Sequence, residues 1–109
     1  MIQFYETENG LDLIFPIVGT DGELITDTPE PGWPKLYVKG APGSPFDLLP
    51  VEDSPGSYHH LVIVGEFTLL PGEVTHYFEC YIDWRGSGHI ILSDAFPIAV
   101  TKAPALSLE

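Results

Sequence analysis

A chain of 109 residues that is 44% apolar, with six Phe, five Tyr and two Trp, is sized for one packed domain and is too apolar to stay disordered. Sixteen acids stand against four bases, a net charge of -12, which repels phosphate backbones and anionic lipid and so argues against nucleic acid or membrane as partners. No apolar run approaches the roughly 18 to 20 residues needed to span a bilayer, and MIQFYETENG lacks the charged-then-apolar order of a secretory signal, so the chain is expected to act without export by that route.

Eleven prolines and eleven glycines leave few intervals long enough for a helix, and the segments between them alternate with period two. In LDLIFPIV, Leu11, Leu13, Phe15 and Ile17 share one face, and Pro16 marks an edge strand or a bulge because it cannot donate a ladder hydrogen bond. Asp21-Gly22 is a tight turn leading to a short ELIT segment. Residues 27–34, DTPEPGWP, form an extended proline-set loop, and Trp33 opens the strand WPKLYVKG. Residues 41–57 read as irregular, with at most a short strand around Phe46 to Val51. YHHLVIVGEFTL places Leu61, Ile63 and Phe67 on one parity and Val62 and Val64 on the other, as in a central strand covered on both sides.

LLPGEV turns the chain into THYFECYIDW, where His76, Phe78, Cys80, Ile82 and Trp84 alternate with Thr75, Tyr77, Glu79, Tyr81 and Asp83. That alternation is a strand with an apolar and a wet side. Arg85 to Gly88 is a hairpin loop, HIILSDAFPIAV is the last long partner strand with a kink near Asp94 to Pro97, and TKAPALSLE is a tail. About seven strands separated by turn signals predict an all-β fold, an antiparallel β-sandwich, as one domain over residues 1–101 with a tail over 102–109. The expected core is Phe15, Leu61, Ile63, Phe78, Cys80, Ile82 and Trp84.

Chemistry-bearing residues are scattered by this geometry. His59 and His60 are adjacent and point to opposite faces; His76 and His89 lie in strands flanking the hairpin and could meet across the pair. No Cys or His spacing matches a zinc pattern, and no metal or cofactor is expected. Cys80, on the apolar parity, reads as a small buried hydrophobe. Asp12, Glu79 and Asp83 fall on wet faces, where paired catalytic acids lack an enclosed cleft. With no nucleophile elbow, dinucleotide fingerprint or P-loop, no enzymatic activity and no catalytic residue are expected. The aromatics Trp33, Tyr37, Tyr58, Tyr77, Tyr81 and Trp84 leave two readings open: a sugar-stacking platform, or a protein contact through an exposed Tyr pair.

The order of features carries a resemblance. A polar step (Glu8-Asn9-Gly10) leads to an alternating strand, an Asp21-Gly22 turn to a short Leu-Ile-Thr segment, and a Pro71-Gly72-Glu73 turn to an aromatic and acidic strand. A glycine-containing hairpin follows, and the chain closes with Phe-Pro-Ile-Ala-Val. Over about residues 3 to 101 this resembles the immunoglobulin-like domains of tailed-phage structural proteins, especially the amino-terminal domain of phage baseplate upper proteins. The resemblance implies an immunoglobulin-like β-sandwich acting as a docking module: a tail or baseplate adaptor, or a capsid decoration, assembled in the host bacterial cytoplasm. Its partners would be other virion structural proteins, in several copies or as a homo-oligomer. Trp33, Tyr77 and Tyr81 are the expected contact residues, strand edges a second means of docking, and the first few residues and the segment after Thr101 candidate arms. The alternative is a carbohydrate-binding module that uses the same aromatics to hold host glycan.

Overall fold

A computed structural model describes residues 2–86 and 88–103. Among them are nine strands and no helix: β1 (Ile2–Tyr5), β2 (Asp12–Pro16), β3 (Lys35–Val38), β4 (Phe46–Asp47), β5 (Leu49–Pro50), β6 (Ser57–Leu61), β7 (Thr75–Gly86), β8 (His89–Leu92) and β9 (Phe96–Thr101). The fold is all-β, as the periodicity predicts.

β7 organises the larger sheet, ordered β1-β9-β7-β3-β4. Asp83 pairs with both Lys35 and Leu92, and Cys80 with both Val38 and Phe96. β8 and β9 therefore share one edge of β7, and β3 takes the other. The expected kink near Asp94 is a break between these two strands, where Ser93 donates its backbone N–H to the Ile82 carbonyl and accepts the Ile82 N–H on its hydroxyl. β1 runs parallel to β9, Ile2 opposite Ile98 and Phe4 opposite Val100, so the sheet is not wholly antiparallel. The same pairing corrects the expectation that the first residues form a free arm: Phe4 is buried, and its alternation with Gln3 and Tyr5 makes Ile2–Tyr5 a strand. The arm expected after Thr101 falls mostly on residues 104–109, outside the described residues.

The smaller sheet is antiparallel, ordered β2-β6-β5. Its hydrogen bonds at Val62 to Leu11 and Ile17 to Gly56 put the odd residues of β2 toward β6. Pro16 then lies where a strand needs no donor, and β2 is an edge, one of the two places its proline allows. The single strand expected near Phe46 to Val51 is two: β4 pairs with β3 and β5 with β6. Buried Leu48, its N–H bonded to the Pro34 carbonyl at 3.0 Å, marks where the chain crosses between sheets. ELIT forms no strand and makes one bridge, Val18 with Leu24. The Asp21-Gly22 turn forms as expected: Gly22 has φ 84°, and the Asp21 carboxylate accepts the Glu23 N–H at 3.0 Å.

One core joins the apolar faces of both sheets, with Phe15, Phe78, Cys80, Ile82 and Trp84 in it as expected. Leu61 and Ile63 are not; they are 51% and 59% exposed. Register is the reason. Leu13 and Phe15 face inward opposite His60 and Tyr58, so His59 and Leu61 must face out. β6 ends at Leu61, and Phe67 reaches the core from the irregular segment 62–74. Two carboxylates brace that segment. Glu66 accepts the Ile63 N–H at 2.6 Å and meets the His60 ring at 3.0 Å. Glu73 accepts the Leu70 N–H across the Pro71-Gly72 turn at 2.8 Å and meets His76 at 2.9 Å, contacts that hold its pKa below the usual carboxylate value.

Cys80 is fully buried and its pKa is pushed up to about 12, chiefly by desolvation. At pH 8 its thiolate fraction is on the order of one in ten thousand. A thiol reagent at pH 8 should therefore label the folded protein only as fast as it unfolds, and label it at once in denaturant. Rapid labelling of native protein would contradict this burial.

Candidate partner-binding face

The functional candidates of the sequence meet on the outer face of the larger sheet. Alternation turns Tyr77, Glu79, Tyr81, Asp83 and Arg85 outward from β7, while Phe78, Cys80 and Ile82 go to the core. Tyr37 lies directly opposite Tyr81, and Lys35 opposite Asp83. Lys39 continues the ladder, donating its backbone N–H to the Glu79 carbonyl at 2.9 Å.

Tyr77 is 61% exposed and Tyr81 40%. Tyr81 stacks on Tyr37 with centroids 4.8 Å apart and planes 5° from parallel. Such a pair contributes about 0.5–1.5 kcal/mol beyond area burial and fixes both rings. Trp33 sits at the Arg85 end of the same face. The Arg85 guanidinium lies 4.1 Å from its ring centroid and the Lys35 ammonium 5.4 Å, both within cation-π range. The fit begins in the backbone: the Glu30 N–H bonds the Arg85 carbonyl at 2.8 Å, pinning the 27–34 loop to the end of β7. Trp33 and Pro34 precede β3 rather than opening it.

Two sequence expectations fail here. Asp83, expected on a wet face, is buried, because Arg85 folds back over it and bonds its Oδ2 through Nε at 3.2 Å and a terminal nitrogen at 3.0 Å. Asp83 Oδ1 has no hydrogen-bond partner among the described residues. Arg85 in turn has its pKa raised, first by the Asp83 hydrogen bond and then by the nearby charges of Asp83, Tyr37 and Glu30. Tyr58, one of the aromatics weighed for sugar stacking, faces the core; Trp84 does too, as its parity in the strand predicts. The sequence missed the role of Tyr37 as stacking partner; the signal was present in WPKLYVKG, where Trp33, Lys35, Tyr37 and Lys39 share a parity, but pairing with β7 was needed to read it.

The histidines do not converge. His59 meets Asp12 at 2.7 Å on the outer face of the smaller sheet, and His60 stacks on Phe46 with centroids 4.8 Å apart. His59 and His60 thus diverge, as their adjacency predicts. The side chain of His89 lies outside the described residues, but register puts His89 opposite Gly86 and His76 opposite Val100, so they are not the cross-strand pair expected. Among the described residues no three His, Cys, Asp or Glu side chains are grouped to hold a metal ion.

A shallow hollow of about 310 Å³ opens on the face between the stacked tyrosines and Lys39, with Glu79 and Ser44 also in its wall. Comparison with family models, curated proteins and solved structures finds no match to this chain.

Proposed function

We propose that this chain is a non-enzymatic docking module of a phage virion, an immunoglobulin-like sandwich that binds virion structural proteins, copies of itself among them, through the outer face of its larger sheet. The fold reading is supported by strand order. A first strand beside the last, then the seventh, third and fourth in one sheet, with the second, sixth and fifth in the other, is the arrangement expected of a variable-type immunoglobulin sandwich. Cys80 occupies the core of β7, where antibody domains carry one of their paired cysteines; Leu13 and Phe15 fill the opposite sheet instead.

The observation that carries the docking reading is the set of locked rings on an open face. Trp, Tyr and Arg dominate interface energetics, above all when held rigid before binding. Tyr37 and Tyr81 fix each other, and Arg85 fixes Trp33. The same geometry favours protein contact over sugar. A sugar platform needs a flat ring with an open face, whereas Trp33 is half-buried with the Arg85 and Lys35 cations within reach of its ring, and Tyr37 and Tyr81 stand face to face with each other.

The test is a photocrosslinker placed at Tyr77 or Tyr81 in particles purified from the host. It should link the chain to a structural protein, while the same group at Ile14, on the outer face of the smaller sheet, should not. Tyr81→Ala should weaken that association by about 2 kcal/mol or more, roughly thirtyfold. A chain absent from particles, or one that binds host polysaccharide saturably and loses it in Tyr77→Ala or Trp33→Ala, would overturn the reading.

A further inference from the structure

Charge is distributed unevenly over this molecule. The charged residues that the larger sheet turns outward are three acids, Asp47, Glu79 and Asp83, and three bases, Lys35, Lys39 and Arg85. The chain holds sixteen acids and four bases in all. These six cancel, so the net charge of -12 is carried by the chain's other charged residues, of which Glu30 stands at the rim of the face, near Arg85.

We infer that the occupant of this face is a second copy of the same chain, joined about a two-fold axis passing beside Lys39 and Glu79. The inference rests on the docking reading and names the partner. A strongly basic partner would gain little from strands whose outward charges cancel; a strongly acidic one would want a positive face. A molecule with this chain's own charge can approach closely only where the charge cancels, because like charges set against each other cost free energy at contact.

The face also complements itself. Lys35 is already paired with Asp47 at 2.7 Å and Arg85 with Asp83 at 3.0 Å. Lys39 and Glu79 lie opposite each other on neighbouring strands, both exposed, and neither is in an ion pair among the described residues. In a two-fold contact, residue i meets j and j meets i. An axis beside this pair sets the lysine of each copy against the glutamate of the other, with the Tyr37–Tyr81 stack on one side and Tyr77 on the other. The hollow at Lys39 and Glu79 gives the facing side chains room to enter.

The physics gives the dimer an unusual salt response. Two bodies of charge -12 repel at long range, and that repulsion is screened over about 8 Å at physiological ionic strength. Added salt should strengthen the dimer, whereas attraction between opposite charges weakens with salt.

Sedimentation velocity on the full chain over a concentration series tests this. The expected result is a concentration-dependent species of twice the 12.0 kDa chain mass, more abundant in high salt than in low. Lys39→Glu and Glu79→Lys should each raise the dissociation constant tenfold or more, and the double swap should restore it, with circular dichroism unchanged throughout. A chain that stays monomeric, a dimer that salt dissolves, single swaps without effect, or a double swap that fails to rescue would each overturn the inference. The docking reading fails separately. If the chain is monomeric yet the Tyr81 crosslinker still captures a virion protein, only the identity of the partner is wrong; if Tyr81→Ala alters neither association, the face itself is.

Discussion

Phe67→Ala should lower the unfolding free energy by about 3–5 kcal/mol, the largest effect expected of any single truncation outside the strands. Phe67 belongs to no strand, yet it is 2% exposed and sits among three other rings. Its centroid lies 5.3 Å from Phe4, 5.4 Å from Phe78 and 5.8 Å from Phe46, the first two edge-to-face. Those neighbours come from β1, β7 and β4, so removing the ring leaves a cavity that no single segment can collapse to fill. Native domains hold about 5–15 kcal/mol in total, so the loss is a large share. Urea unfolding followed by tryptophan fluorescence measures it directly, with Phe67→Leu expected to cost much less because it keeps most of the volume. A loss below about 1 kcal/mol for the alanine variant would mean that segment 62–74 is not docked on the core.

Gly86→Ala should destabilise by about 1–3 kcal/mol through overpacking. A Cβ there would stand 2.9 Å from the Thr28 carbonyl oxygen, 3.0 Å from Pro29 Cα and 3.0 Å from Trp84 Cη2. Two of those atoms are backbone and the third belongs to a side chain in the core, so relief requires the 27–34 loop to lift. Lifting it strains the Glu30 to Arg85 hydrogen bond and moves Trp33 off the guanidinium that holds it. The expected signature is therefore double: a lower melting temperature, and faster amide exchange at Glu30 than elsewhere on the face. A variant with a wild-type melt and a protected Glu30 amide would show that the close approach carries no cost.

Gly86 also illustrates what local sequence conceals. RGSG reads as a turn, but Arg85 and Gly86 are the end of the longest strand. The glycine is needed for the approach of a loop more than fifty residues earlier, which no window around it reveals. Leu61 and Ile63 mislead for a related reason. Both are aliphatic and on the parity of Phe67, but β6 takes its inward face from pairing with β2, and it ends before Ile63. Aliphatic character specifies a buried side only where the partner strand agrees.

The amino-acid sequence by itself determined the all-β class, the confinement of Pro16 to an edge or a bulge, the Asp21-Gly22 and Pro71-Gly72 turns, and the inward set of Phe78, Cys80, Ile82 and Trp84. These follow from φ restriction, from missing donors and from period-two alternation, all of them local. Only the tertiary structure decided that β1 joins β9 in parallel, that Phe46 and Leu49 serve different sheets, that Asp83 is buried beneath Arg85, and that Tyr37 lies on Tyr81. Each of these is a pairing between residues distant in the chain, and its free energy exists only once both partners are held in place.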